Sequence, residues 1–249
     1  MNKKPKILLW DIETSHNILA GFDLAWNGVP VGNILQDWYM ISAAWRWYGQ
    51  KRTYGVTALD YPELFAKDHT DDYWIINQLY GTISEADAIV AHYGDNFDVK
   101  KLNTRMIQQG FGPLPPVIQL DTWKMAKAKF KFTSNKLDYI AKYLGHEGKM
   151  ETPTGLWLRC LDGEKKAIRE MLAYNKQDVD VLEFVFEKLK PFVPAKVNER
   201  LFNSRAQCPS CGGEHINYHG YVYTKQRKYR RFQCLDCGNW DRERQAVKE

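Results

Sequence analysis

Two acids separated by one residue, Asp11 and Glu13, close the apolar run Lys6-Ile-Leu-Leu-Trp10. If that run is a strand, its side chains alternate with period two, and both carboxylates point to one face. Asp98 opens a predicted helix shortly after a second apolar run, Ala88 to Tyr93, and Asp178 lies in a long predicted helix within Tyr174-Asn-Lys-Gln-Asp178. Open α/β sheets place ligands at strand ends, where these segments would meet. Four carboxylates gathered there repel one another unless cations neutralise them, and hard oxygen ligands select Mg²⁺ or Mn²⁺. Two such ions about 3.5 to 4 Å apart can activate a water and stabilise the leaving oxygen of a phosphodiester.

A second constellation has different chemistry. Cys208-Pro-Ser-Cys211-Gly-Gly and Cys234-Leu-Asp-Cys237-Gly are two Cys-x-x-Cys knuckles separated by 22 residues. The two-residue gap lets both thiolates of a knuckle reach one tetrahedral Zn²⁺, and the following glycine permits the tight turn. Four cysteines close the coordination sphere, so this zinc would be structural and would stabilise a unit too small for a sufficient core. Between the knuckles, Ile216 to Tyr223 and Tyr229 to Gln233 alternate like strands, as in a zinc ribbon. Lys225, Arg227, Lys228, Arg230 and Arg231 are interleaved there with Tyr223, Tyr229 and Phe232. A basic run is often a solvated face, but mixed with aromatics it fits a nucleic-acid contact. The fifth cysteine, Cys160, lies among apolar residues and is expected to be a core thiol.

The elements that must position these residues follow from periodicity and punctuation. Tyr39 to Tyr48 and Lys51 to Thr57, flanking Gly49-Gln50, read as a hairpin. Helices are expected over 71–85, from about Phe97 to Gln109, over Ser134 to Leu144 and over Lys165 to Leu189, with strands at 88–93 and 117–120. Three early strands followed by alternating helix and strand predict a mixed α/β sheet flanked by helices. Asp138 and Asp180 then fall on helix surfaces, and Asp121 caps a helix. Asp95 is a neighbour of the second motif, and His92, on an apolar strand, is expected to pack and not to ligate.

The chain has 249 residues, 44% of them hydrophobic and 26% charged, the profile of a folded globular protein. Residues 196–249 carry 11 Lys and Arg against 6 acids, while 1–195 balance at 24 against 24. A neutral body with a basic tail reads as a working unit with an attached polyanion grip, because clustered cations displace counterions from phosphates. The expected organisation is a domain over 1–190, a proline-containing linker over 191–205, and the ribbon with its basic strand and tail over 206–249. The short apolar run after Lys6 does not make a signal peptide, and no uncharged stretch approaches the roughly 20 residues of a membrane span. Paired cysteines with metal spacing favour a reducing compartment, so a soluble cytoplasmic protein is expected.

The motifs also carry a resemblance. Leu8-Leu-Trp-Asp11-Ile-Glu13-Thr resembles the first motif of the DnaQ-like 3′-to-5′ exonucleases of the ribonuclease H-like superfamily, Asn96-Phe-Asp98 the second, and Tyr174-x-x-x-Asp178 the third. Leu137 to Gly145 is similar to the helix between motifs two and three in the proofreading domains of family-B DNA polymerases. The resemblance covers roughly residues 6–190. Position 173 is Ala and position 174 is Tyr, as in the branch that uses Tyr in place of His. It implies that Asp11, Glu13 and Asp178 hold one Mg²⁺ or Mn²⁺, that Asp11 and Asp98 hold a second, and that Tyr174 orients the attacking water. Tyr93 departs from the Asn that the family often has five residues before the second-motif Asp.

The expected function is therefore metal-dependent 3′-to-5′ trimming of DNA, ahead of RNA, with the ribbon assisting substrate binding. A structure-selective endonuclease or an RNA trimmer would use the same chemistry. A non-catalytic nucleic-acid-binding module on the same fold would have no reason to crowd four carboxylates together.

Overall fold

The computed structural model describes residues 4–21, 30–150 and 154–247. Its strands are β1 (Ile7–Thr14), β2 (Ile18–Leu19), β3 (Ile34–Gln36), β4 (Met40–Trp47), β5 (Tyr54–Thr57), β6 (Ala88–Ala91) and β7 (Ile118–Asp121). The C-terminal part adds β8 (Ile216–Tyr223), β9 (Lys228–Cys234) and β10 (Trp240–Arg242). The helices are α1 (Pro62–Lys67), α2 (Tyr73–Ser84), α3 (Asp98–Gln108), α4 (Thr122–Lys129), α5 (Leu137–Tyr143), α6 (Leu156–Leu161) and α7 (Lys165–Leu189).

Five strands form one sheet in the order β5-β4-β1-β6-β7. β1 lies at its centre, antiparallel to β4 and parallel to β6. This is the expected mixed sheet, and its two faces are sorted by the period of β1. Ile7 and Leu9 pack with Val90, Leu120, Val181, Leu182, Val185 and Phe186 on the α7 side. Leu8, Trp10 and Ile12 pack with Ile75, Ile76, Leu79, Leu102 and Met106, from α2 and α3, on the other. Both layers are closed, so shifting β1 by one residue would turn every one of these side chains to the wrong side.

Helix α5 begins at Leu137, three residues later than expected, because Ser134 spends its hydroxyl accepting from Lys136 N–H in a preceding turn. Gly145, at φ +92°, follows its last turn and takes a left-handed conformation that a side chain would resist. Asp121 caps α4 through Oδ1, which accepts from Trp123 N–H at 2.9 Å. Residues 191–205 run in short 3₁₀ turns over the main body, with Val197 in the same core cluster as Ile7 and Phe186.

The C-terminal strands form a separate sheet, β10-β9-β8, whose third strand was not evident in the sequence. It is tied to the body by Asn239 Nδ2, which donates to Pro191 O at 2.8 Å, and by Glu199 N–H, which donates to Pro209 O at 2.9 Å. Lys248 and Glu249, the end of the basic tail, and the first three residues lie outside the described residues. Among the described residues no helix is long and apolar enough to cross a membrane.

Candidate active site

Asp11 and Glu13 continue the Ile7/Leu9 face of β1 beyond the core, so they face α7. That helix carries Val181, Leu182, Val185 and Leu189 into the sheet core and Ile168 and Met171 into a neighbouring cluster. Between them, on the same buried stripe, it places Asn175 and Asp178. Oxygens of Asp11, Glu13 and Asp178 lie within 4.8 Å of one another. Asp98 is outside this trio but adjacent to it: Ile12 N–H donates to its Oδ1 at 3.4 Å, and its charge acts on Asp11.

The turn before Asp98 is tightly constrained. A Cβ on Gly94 would sit 2.4 Å from Ala91 Cβ, so only glycine lets the chain fold back from β6 into α3. Tyr93, one residue earlier, is left-handed at φ 66°, a conformation that costs a non-glycine residue energy. Its N–H donates to Asp121 Oδ1 at 3.0 Å, which helps to hold the turn.

Crowding shows in the acidities. Burial, followed by Asp98 and Asp178, drives Asp11 well above the ordinary carboxylate range. Burial and then Asp178 raise Glu13 to about 8. Burial raises Asp98 to about 7 against two backbone hydrogen bonds, and it also raises Asp178 even though Lys149 opposes it. Asp178 is 1% exposed, and its Oδ1 has no hydrogen-bond partner among the described residues. A set of hard oxygen donors with a buried, unsatisfied oxygen at its centre fits a divalent cation.

Four further residues belong to the site. Asn175 donates from Nδ2 to Asp11 Oδ2 at 2.6 Å, while its Oδ1 accepts from Ser42 Oγ at 3.2 Å. Lys149 reaches in from the segment between α5 and α6 and forms an ion pair with Asp178. Its ammonium acts on all four carboxylates. Asp121, 3% exposed, leaves Oδ2 without a hydrogen-bond partner among the described residues and raises Asp98 further. The only sequence signal for Asn175 is its place three residues before Asp178 on an apolar stripe, and Lys149 has no such signal. Tyr174 lies one helical turn before Asp178, where its hydroxyl favours the ionised Asp178 carboxylate, and its ring packs edge-on against Trp157. His92 packs as expected, with Nε2–H donating to Asn135 O at 2.8 Å and Nδ1 facing the Thr122 hydroxyl at 2.9 Å.

One cavity opens at Glu13 and another at Lys149. One, of 460 Å³, is walled by Glu13, His16, Trp38, Phe97, Lys101 and Trp157. The other, of 660 Å³, is walled by Tyr93, Trp123, Ser134, Lys136 and Lys149. Aromatic faces and a lysine border Glu13 in the first, and Lys149, which pairs with Asp178, borders the second.

The four paired cysteines also converge, with all their sulfurs within 4.8 Å. Cys208 to Cys237 and Cys211 to Cys234 are each 3.7 Å apart. A tetrahedral ion with ~2.3 Å metal–sulfur bonds has edges of ~3.8 Å, so the cluster fits a metal site of zinc type. Ser210 N–H and Gly213 N–H donate to Cys208 and Cys211 Sγ at 3.4 Å, as thiolate ligands require. The basic residues lie on the hairpin beyond it: Lys225 and Arg227 stand on the tip between β8 and β9, and Lys228, Arg230 and Arg231 belong to β9.

The geometry can be set beside known proteins. No curated protein matches the chain. Among solved structures, the family B DNA polymerase of the hyperthermophilic archaeon Pyrobaculum calidifontis is similar, with a TM-score of 0.54 at 17% identity over 75% of this chain. The match spans 25% of that polymerase, so what the two share is a fold. The sequence model of the RNase H superfamily matches residues 38–190, a stretch that holds β4 to β7, Asp98, Tyr174 and Asp178. With more than half its length accounted for in this way, the chain belongs to the RNase H superfamily.

Proposed function

We propose that this chain is a metal-dependent 3′-to-5′ exonuclease acting on DNA in the cytoplasm. The observation that carries the reading is the convergence of Asp11, Glu13 and Asp178 within 4.8 Å beside buried Asp98, with Tyr174 one helical turn from Asp178. In this reading Asp11, Glu13 and Asp178 hold one Mg²⁺ or Mn²⁺, and Asp11 and Asp98 hold a second. Such a pair supplies an activated water and neutralises charge on the leaving oxygen. Asn175 fixes the Asp11 carboxylate, and the Tyr174 hydroxyl orients the water whose oxygen joins phosphorus as the bond to the departing 3′ oxygen breaks. The aromatic cavity beside Glu13 takes an unpaired nucleotide next to the scissile phosphate, which favours a frayed or single-stranded end. The cysteine site holds one structural Zn²⁺, and Lys225, Arg227, Lys228, Arg230 and Arg231 hold nucleic acid outside the active site.

The test is a panel of end-labelled single strands, duplexes, circles and RNA, incubated with Mg²⁺, Mn²⁺ or neither. Mononucleotide release from linear DNA with free 3′ ends, lost in Asp11→Asn and Asp178→Asn, is the expected result. Tyr174→Phe should slow cleavage without abolishing it, because both metals remain held while the water is less well placed. Cutting of circles would replace the exonuclease by an endonuclease. Undiminished cleavage by either Asp variant would refute the site.

A further inference from the structure

The hairpin beyond the cysteine site holds a pattern of rings and cations. In the β8–β9 register Tyr218 lies opposite Phe232, Tyr221 opposite Arg230, and Tyr223 opposite Lys228. Directly opposed residues share a face, so the three tyrosines and two cations form one surface. At its inner end Phe232 is 1% exposed, whereas Tyr221 and Tyr223, towards the tip, are 43% and 70% exposed. The rings are already paired with charge: Lys228 Nζ lies 3.9 Å from the Tyr221 centroid, and the Arg230 guanidinium 3.7 Å from that of Tyr218. On the opposite face Arg242 lies 4.0 Å from the Tyr229 ring and Arg231 5.2 Å from Trp240. No Asp or Glu occurs between His215 and Leu235. Among the described residues two acids reach this face from β10 and the residue after it, and both are paired: Asp241, opposite Phe232, with Arg200 at 3.8 Å, and Glu243 with Arg230 at 3.8 Å.

A face made only to be solvated has no need of large half-exposed rings, and one made only to neutralise phosphates has no need of rings at all. Alternate residues of a strand are about 6.8 Å apart, twice the ~3.4 Å rise of stacked nucleotides. Tyr221 and Tyr223 can therefore each meet one base of an unstacked strand, while the cations beside them lie where its phosphates run. A duplex buries its base faces and offers such rings nothing to stack on.

From this we infer that the hairpin is a single-strand platform, on which Tyr218, Tyr221 and Tyr223 stack bases and Lys228 and Arg230 grip the backbone. The inference rests on the reading of this chain as a nucleic-acid enzyme and narrows its ligand to an unpaired strand held by its bases.

Binding is measured on the full-length, zinc-loaded protein without added Mg²⁺ or Mn²⁺, with strand integrity checked on gels. The ligands are a labelled single strand, its duplex, and a strand of equal length with abasic sites. Tyr221→Val/Tyr223→Val should weaken the normal single strand by about thirtyfold or more, leave the abasic strand and the duplex unchanged, and keep the slope of log affinity against log salt. Lys228→Gln/Arg230→Gln should instead weaken all three ligands and flatten that slope. Zinc content and circular dichroism show that each variant is folded. An equal loss on normal and abasic strands, a comparable loss on duplex, or no loss from either double variant would overturn the platform. None of these outcomes touches the nuclease reading, which stands or falls on cleavage by the carboxylate variants.

Discussion

At the scale of single residues, the site is a set of charges that the fold has drawn close against their own repulsion, and the groups around it show how the protein tolerates this. Lys149 offsets the cluster from one side and Asn175 donates to it from another. His92 follows β6 at the start of the turn that leads to Asp98, and there burial outweighs the Asn135 carbonyl and pulls the imidazole down to about 4. Unfolded, the same ring titrates near 6.5, so between these values the unfolded chain binds more protons than the folded one. Stability supplied by neutral His92 is therefore complete above about pH 6.5 and is lost as pH falls towards 4, by at most about 3 kcal/mol. Urea unfolding of the wild type and His92→Gln at pH 7 and pH 4.5 tests this. The wild type should lose more on acidification, whereas parallel losses would mean that the folded protein accepts the charged ring.

Among the elements, α7 and the turn before α3 do most of the positioning. The α7 stripe is apolar at 168, 171, 181, 182, 185 and 189 and polar at 175 and 178, so packing the helix onto the sheet buries the polar pair opposite Asp11. The turn brings Asp98 in from the other side, and it depends on the missing side chain of Gly94. Gly94→Ala places a methyl where Ala91 already stands, and overpacking of this kind costs about 1 to 3 kcal/mol. The turn must shift to relieve it, and Asp98 shifts with it. We expect a lower melting temperature together with weaker binding of the second Mn²⁺ in a titration. A lower melting temperature with intact Mn²⁺ stoichiometry would show that the turn is structural only.

At the scale of the whole molecule, two units of unequal self-sufficiency are joined. The main body has two apolar layers around a five-stranded sheet. The C-terminal unit buries little beyond Phe232, Ala206, Cys208 and Cys234 among its described residues, so in the proposed reading its fold depends on a metal held by the four cysteines. A structural zinc contributes about 10 kcal/mol or more, which is more than so small a core can replace. Removing it with a zinc-selective chelator should strip hydrogen-exchange protection from 206–247 while β1 and α7 keep theirs. Simultaneous loss in both would show one cooperative unit, held through Asn239 and the Pro191 carbonyl.

How much of this was legible without coordinates follows from the range of each interaction. Asp-x-Glu at a strand end, Tyr-x-x-x-Asp on a helix and the cysteine knuckles are local patterns, because period two, period 3.6 and a two-residue knuckle each fix relative directions within a few residues. They determined the type of fold, the candidate carboxylates and the candidate zinc ligands. Asn175 was visible only as an unexplained polar residue on an apolar stripe, and Asp121 as a cap with one oxygen accounted for. Lys149 sits in no pattern, since its place beside Asp178 comes from the path of the segment between α5 and α6. The face of the hairpin was hidden for the same reason: which tyrosine opposes which cation depends on strand register and on the irregularity between Tyr218 and Tyr221. Contacts made across the chain are set by packing and pairing, and only the tertiary structure could decide them.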